Sequence, residues 1–515
     1  MRNNLGAFLA KRAQLSPTLE ALVEVERGRR FTYAELDARS NRIAAALRSR
    51  GIGPGDRVAF LLMNGAEYVE AYYGVAKLGA VMVPLNWRLV PDELSFILSD
   101  AGAVALIFDS EFDEAAAALH GGDTQLRVWL RVGDEAGAAA TGFADDYDAA
   151  CDAESSDPVV TDVCDDDLLF IMYTSGTTGL PKGAVHTHST MAAASITMNM
   201  TADTRMGDRY LQMLPLFHVG ALTPMTGCLH RGCAVILMRQ FDPAAVFPLI
   251  EAEKISAGLA VPAMLNFMLA SGGHESNDHS TVRWMMSGAA PVPVALIEKY
   301  ADLGIEIHQV YGLTETCGPA CLISPEAALA KAGSTGPAFF HTDVRVVDTD
   351  GADVAPGEVG EVIIRGAHIM KEYWNRPDAT AETIRDGWLY SGDLATIDKE
   401  GFVYIQDRKK DMIITGGENV YPAEIEDVLA RHPKLSESAV IGLPSDRWGE
   451  SPAAIVVANP GETVTADEVI EFCTGKLARY KIPRVVEFID VIPRNPTGKI
   501  LKRLLREQFP GPAPE

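Results

Sequence analysis

The segment Tyr173-Thr174-Ser175-Gly176-Thr177-Thr178-Gly179-Leu180-Pro181-Lys182-Gly183 packs four aliphatic hydroxyls, three glycines and a lysine into eleven residues. Glycines let backbone amides approach phosphate oxygens, hydroxyls donate to them, and a lysine adds positive charge. An ordinary polar turn accounts for one or two of these residues, not for Thr174, Ser175, Gly176, Thr177, Thr178, Gly179 and Lys182 together. The chemistry implied is the cradling of a phosphate chain. It is not γ-phosphate transfer of the Walker type, because no G-x-x-x-x-G-K-[ST] occurs in the chain. Nor does a G-x-S-x-G serine elbow occur.

Five further segments follow in order: Ser287-Gly288-Ala289-Ala290-Pro291, Gln309-Val310-Tyr311-Gly312-Leu313-Thr314-Glu315, Tyr390-Ser391-Gly392-Asp393, Asp407-Arg408-Lys409-Lys410-Asp411 and Pro496-Thr497-Gly498-Lys499. Singly, each reads as a turn, a helix start or a surface charge. Together with the hydroxyl-rich loop they resemble, in order and over nearly the whole chain, the motifs of the adenylate-forming superfamily. Its members are acyl-CoA synthetases, peptide-synthetase adenylation domains and beetle luciferases.

The resemblance implies a two-step ligase. A carboxylic acid and ATP give acyl-AMP and pyrophosphate; acyl-AMP and coenzyme A then give acyl-CoA and AMP. The carboxylate and the CoA thiol are themselves the nucleophiles, so no nucleophilic serine or cysteine is needed. Tyr311 would stack on adenine, with Gly288, Ala289, Ala290 and Pro291 on the other side of the ring and Gln309, Val310 and Gly312 beside it. Thr314 would donate to the α-phosphate, and Glu315, with Thr174, would hold Mg²⁺, a hard cation suited to carboxylate and phosphate oxygens. Asp393 would accept from the ribose hydroxyls and Arg408 donate to them. Lys499 would stabilise charge on the attacking carboxylate and the α-phosphate. Lys410 matches a hinge, and Gly416 and Gly417 match the place where pantetheine passes the backbone. Tyr480, Lys481 and Arg484 resemble a patch that meets the CoA nucleotide. A non-catalytic relative would have lost Lys499, Glu315 or Lys182, and all three are present.

The acid is read from Leu214-Pro215-Leu216-Phe217-His218-Val219-Gly220, which matches the segment beside the acyl pocket. Amino-acid-activating members carry an aspartate here, whereas this chain has no acid between Leu214 and Arg231. His218 reads as a gate or pocket wall, since no second ligand stands at metal spacing. Gly220, Ala221, Gly227, Gly312 and Gly318 predict small walls with room for a long or bulky tail. The stretches Val185–His188, Ala260–Met268 and Thr415–Pro422 look most like actinobacterial-type long- and very-long-chain fatty-acyl-CoA synthetases. The alternative is an aryl acid ligase of the coumarate, ferulate or benzoate kind, which shares every core motif.

Composition sets the frame. The 515 residues are 47% apolar with a formal charge of −25, which suits a large cored domain plus a smaller one and opposes nucleic acid. Seven thinly spread cysteines without a CxxC pair read as free thiols of a reducing compartment. No apolar run is long enough to span a bilayer, so the expected location is cytoplasmic. The resemblance leaves room for peripheral membrane association and for a homodimer.

The elements that must position these residues follow from periodicity. Thr32 and Glu35 form a capping box opening a helix that runs to about Gly51. Strands at 58–63, 81–85 and 104–108 alternate with helices at 67–78 and 92–99, which implies parallel pairing with helices on both faces. Residues 132–165, rich in Ala, Gly and Asp, read as a surface connection. Strands at 168–173, 234–238, 257–261, 283–286 and 306–310 follow, then short strands and tight turns after about Gly333, at Asp350-Gly351 and Lys399-Glu400-Gly401. A last unit has a helix at 423–430, strands at 438–441, 453–457 and 485–489, a helix at 466–477 capped by Thr465 and Glu468, and a basic helix from about Lys499. The expected fold is α/β: a large N-terminal domain (1–408) of parallel and mixed sheets with flanking helices and a β-rich subdomain, and a small, mobile α+β C-terminal domain (409–515).

Overall fold

Every one of the 13 residues of helix Ala66–Leu78 is buried, which requires apolar neighbours on all sides. Helices Leu5–Leu15 and Tyr33–Ser49 supply most of them, between two sheets. In the first, the strand order is Cys321–Leu322, Glu306–Tyr311, Trp284–Ser287, Ala257–Ala260, Arg209–Gln212, Ala234–Leu237, Glu20–Glu24, Arg29–Thr32. In the second it is Glu372–Tyr373, Lys182–Thr187, Leu168–Thr174, Val81–Pro84, Arg57–Leu61, Ala103–Asp109, Val128–Val132, Asp145–Asp146. Both are parallel inside and antiparallel towards one or both edges. The computed structural model describes residues 4–122, 124–133, 141–159, 161–174, 181–289, 292–324, 326–331, 333–409, 411–415, 418–445, 448–494 and 500–510, with the side chains of Arg408 and Asn419 outside the description.

One core joins the facing sides of the two sheets through the helices between them, with Tyr33, Ile43, Tyr72, Met191 and Leu222 meeting Tyr210 and Val235 of one sheet and Phe60 and Phe170 of the other. Separate clusters cover the outer faces: Phe247, Leu265 and Ile297 on the first sheet, Leu94 and Ile97 on the second. The only cation of the central helix, Lys77, is neutralised by Asp37 at 2.5 Å and held by the Asn41 carbonyl at 2.7 Å. At Gly74 a Cβ would lie 2.5 Å from Ile43 Cγ2, so the close approach of the two helices depends on glycine.

A third, antiparallel sheet contains Thr342–Val347, Gly360–Gly366, Trp388–Ile397, Ile384–Arg385 and Val403–Arg408. Its core takes in Cys321 from the edge of the first large sheet and Ala184 and Tyr373 from the edge region of the second. A smaller α+β domain follows, built on the Leu435–Ser445 and Gly449–Ala458 hairpin and packed by helices Pro422–Leu429, Ala466–Cys473 and Lys502–Gln508.

Both predicted capping boxes are present, Thr32 with Glu35 and Thr465 with Glu468. Two expectations are corrected. The 132–165 stretch is not merely a surface connection: helix Tyr147–Asp152 buries Tyr147, Ala150 and Cys151 against the core. The helix from Ala466 ends at Cys473 and not near Leu477, because Thr474 is extended and Gly475 has φ +76°. All seven cysteines are free, and all but Cys164 are buried. Among the described residues no helix is long and apolar enough to cross a membrane.

Candidate active site

The hydroxyl-rich loop is carried by two antiparallel strands, Leu168–Thr174 and Lys182–Thr187, with Thr174 opposite Lys182. Ser175, Gly176, Thr177, Thr178 and Gly179 lie outside the described residues. The base of the loop is pinned by Asp100, which accepts from Tyr173 Oη at 2.6 Å and Arg376 at 2.7 Å while its carbonyl accepts from Trp374 Nε1 at 3.0 Å. Lys182 Nζ lies 5.2 Å from the centroid of the Tyr373 ring.

That tyrosine connects the loop strand to the second motif. The Glu372–Tyr373 strand pairs with the loop strand, Tyr373 opposite Ala184. Its hydroxyl donates to Glu315 Oε1 at 2.6 Å, a charge-assisted bond that orients the carboxylate. Thr314 and Glu315 sit on a short 3₁₀ turn, Thr314–Thr316, just beyond the Glu306–Tyr311 strand. Gly312 lets the chain turn there: a Cβ would fall 1.4 Å from the Gly318 carbonyl oxygen. Leu313, Glu315 and Tyr373, with Glu361, Ser391 and Gly392, line a cavity of about 290 Å³.

The adenosine-side candidates meet across 82 residues of sequence, where Tyr311 Oη donates to Asp393 Oδ2 at 2.7 Å. The Tyr311 ring is half-buried, but its hydroxyl end is enclosed. That burial, with the Asp393 carboxylate, pushes its pKa well up. Asp393 stands opposite Arg408 in the register of adjacent strands. Ser287 and Gln309 are also register partners. Ser287 Oγ and Gln309 Nε2 are buried and have no hydrogen-bond partner among the described residues, so polar atoms are available there to a heterocycle. Ala289, at φ +67°, carries a strained backbone beside them. Gly288 is obligatory, since a Cβ would lie 2.4 Å from the Val310 oxygen. Ala290 and Pro291 lie outside the described residues.

On the acyl side, His218 precedes helix Val219–Arg231, its ring 4.3 Å from that of Phe217. Burial, and then the Arg88 charge, pull its pKa down to about 3, so it is neutral. Its Nε2 is enclosed without a partner among the described residues. The predicted small walls need correction. A Cβ at Gly227 would meet Met198 Cε at 2.7 Å, one at Gly318 would touch Thr223, and Gly312 is filled by a carbonyl. Only Gly220 of these glycines faces open space; the others admit close packing.

Lys410, Gly416, Gly417 and Lys499 lie outside the described residues. Their neighbours are described: Thr415 and Glu418 are cross-strand partners, as are Arg494 and Ile500. Lys409 donates its amide to the Gly392 carbonyl and pairs with Glu361 at 3.0 Å. The candidate CoA patch is engaged internally, Lys481 with both oxygens of Glu424 at 2.7 Å and Arg484 over the Trp448 ring, with Tyr480 exposed.

Among the described residues no three His, Cys, Asp or Glu side chains form a metal cage. The Glu315 carboxylate, oriented by Tyr373, is the kind of hard oxygen donor that would suit Mg²⁺, with phosphate oxygens completing the shell. Sequence reasoning missed Tyr373 and Asp100. Neither lies in a motif or at a telling spacing from its partner, being 58 residues from Glu315 and 73 from Tyr173.

Comparison with known proteins identifies the family. The profile of the AMP-binding enzyme family matches residues 9–374, and that of the AMP-binding enzyme C-terminal domain matches 424–499. The chain is 47% identical over 515 residues to the long-chain-fatty-acid–CoA ligase FadD13 of Mycobacterium tuberculosis, covering 99% of this chain and all of that one. It is 42% identical over 512 residues to a feruloyl-CoA synthase of an Amycolatopsis species, with 99% and 100% covered. A solved Mycobacterium tuberculosis fatty acyl CoA synthetase superposes with a TM-score of 0.80 at 46% identity, covering 99% and 98%. Matched end to end in sequence and fold, the chain belongs to the AMP-binding enzyme family, the adenylate-forming superfamily, and is an AMP-forming acid–thiol ligase.

Proposed function

We propose that the protein is a fatty-acid–CoA ligase acting on medium- to very-long-chain acids. The observation that carries this is an acyl-side helix, Val219–Arg231, without a single acid to pair a substrate amine, in a chain 47% identical to a long-chain ligase. Thr174, Thr314 and Lys182 bind the phosphates, and Glu315, oriented by Tyr373, holds Mg²⁺ together with Thr174. When bound, Mg²⁺ neutralises charge on the phosphate oxygens. Tyr311 stacks adenine, and Asp393 with Arg408 takes the ribose. His218, neutral and apolar-packed, shuts water from the acyl carboxylate. Residues 1–408 bind ATP and acid. Residues 409–515 bring Lys499 for adenylation and then Gly416-Gly417 for CoA.

An aryl acid is the second reading, favoured by the 42% identity to a feruloyl-CoA synthase. The test is AMP release with CoA over a panel of saturated fatty acids, hydroxycinnamates, benzoates and amino acids. Fatty acids are expected to exceed the aryl acids at least roughly tenfold in kcat/KM, the discrimination that a methylene or two in an apolar pocket provides. A panel led by ferulate or coumarate establishes the second reading instead, and amino-acid-dependent pyrophosphate exchange without fatty-acid turnover overturns both.

A further inference from the structure

Three successive carbonyls of the Thr314–Thr316 turn each have their own donor from a distant part of the chain. His186 Nε2 lies 2.8 Å from the Thr314 oxygen. The Met370 amide donates to the Glu315 oxygen at 2.8 Å. His368 Nδ1 lies 2.9 Å from the Thr316 oxygen. A carbonyl only accepts, so the proton is on Nε2 in His186 and on Nδ1 in His368, opposite tautomers. The remaining nitrogens face hydroxyls: His186 Nδ1 is 3.2 Å from Thr190 Oγ1, and His368 Nε2 is 2.8 Å from Thr342 Oγ1. Both histidines are fully buried. Burial lowers the pKa of His186 to about 4 and depresses that of His368, so both are neutral.

Their placement is specific. His186 is on the same strand as Lys182, one residue before Thr187, which with Thr190 caps helix His188–Thr201. That strand also pairs with the one bearing Tyr373, which holds the Glu315 carboxylate. Side chain and main chain of the Thr-Glu turn are thus both referenced to the strand that leaves the phosphate loop. His368 follows the Gly360–Gly366 strand, and a Cβ at Gly366 would lie 2.6 Å from its Nε2, so the ring position depends on that glycine.

We propose that His186 and His368 are positioning residues for adenylation. They fix the backbone of the Thr314–Thr316 turn, which aims the Thr314 hydroxyl and the Glu315 carboxylate at the phosphates and Mg²⁺. The proposal rests on the reading of Glu315 as the metal-holding acid. Neither histidine touches substrate; both act through main-chain carbonyls, as supporting shells of metal sites do.

The test uses the geometry of side-chain amides. A glutamine amide nitrogen reaches the position of imidazole Nε2, and an asparagine amide nitrogen that of Nδ1. His186→Gln and His368→Asn keep the donor to the turn; His186→Asn and His368→Gln lose it. The full-length protein is assayed by pyrophosphate exchange into ATP against Mg²⁺ concentration, with thermal unfolding recorded for each variant. The donor-losing variants are expected to raise the half-saturating Mg²⁺ concentration roughly tenfold, and the donor-keeping variants to recover most of that loss. The crossed order, Gln at 186 and Asn at 368, is the signature that loss of stability alone would not produce. Equal behaviour of the two amides at either position overturns the proposal. So does failure of a donor-keeping variant to fold, because the donor would then not be what the site requires. Glu315→Gln is assayed alongside. If it leaves the Mg²⁺ dependence unchanged, the reading of Glu315 falls, a result distinct from failure of the crossed pattern.

Discussion

Glu315→Gln is expected to fold normally and to lose adenylation roughly a hundredfold or more. The fold should survive because the amide oxygen can still accept from Tyr373 Oη, now 2.6 Å from Glu315 Oε1, and because the turn carbonyls keep their donors. What is lost is the negative charge. The neutral amide that replaces it is a weaker ligand for a hard dication. Tyr373→Phe leaves that charge and removes only its orientation, so a smaller loss, roughly tenfold, is expected. Pyrophosphate exchange at graded Mg²⁺, with circular dichroism as the folding check, measures both. A wild-type rate for Glu315→Gln at saturating Mg²⁺ would identify a different acid as the ligand.

The difference between these two variants reflects what a sequence can reveal. Glu315 is legible because an aromatic, a glycine and a Thr-Glu pair follow a strand in a recognisable order. Tyr373 is not, because its link to Glu315 exists only once two strand edges have met. The same holds for the fold. Capping boxes are local hydrogen-bond patterns and read directly, as at Thr32 and Thr465. Helix Tyr147–Asp152 was obscured by its acidic, alanine-rich surroundings, since the burial of Tyr147 comes from packing by distant elements. The glycines of the acyl side mark the clearest boundary. Sequence gives the absence of a side chain at Gly220, Gly227, Gly312 and Gly318, but only the neighbours decide between space and contact. The Met198 and Thr223 side chains and the Gly318 carbonyl turn three of these four into contacts.

Lys499→Ala should separate the two half-reactions. In the role proposed for it, the charge of Lys499 is needed while a carboxylate attacks ATP, when negative charge builds on the α-phosphate. Acyl-adenylate formation should therefore fall roughly a hundred- to a thousandfold, while the same variant, given ready-made acyl-adenylate, should make acyl-CoA at near-normal rate. Gly417→Leu should do the reverse: on the proposed path of pantetheine past this glycine, a branched side chain is an obstruction, so adenylation should survive and thioester formation fail. Lys410→Pro should resemble Gly417→Leu. A proline there fixes φ and restricts Lys409, whose amide already bonds Gly392 and whose ammonium pairs with Glu361; the domain is then held in the orientation for the first step. Rotation about such a hinge is an ordinary way for two steps to share one site. The measurements are pyrophosphate exchange into ATP and CoA consumption from synthetic acyl-adenylate, each with unfolding curves. Loss of both half-reactions in equal proportion in all three variants, with folding intact, would mean that Lys499 and Gly417 serve one conformation of the small domain and not two.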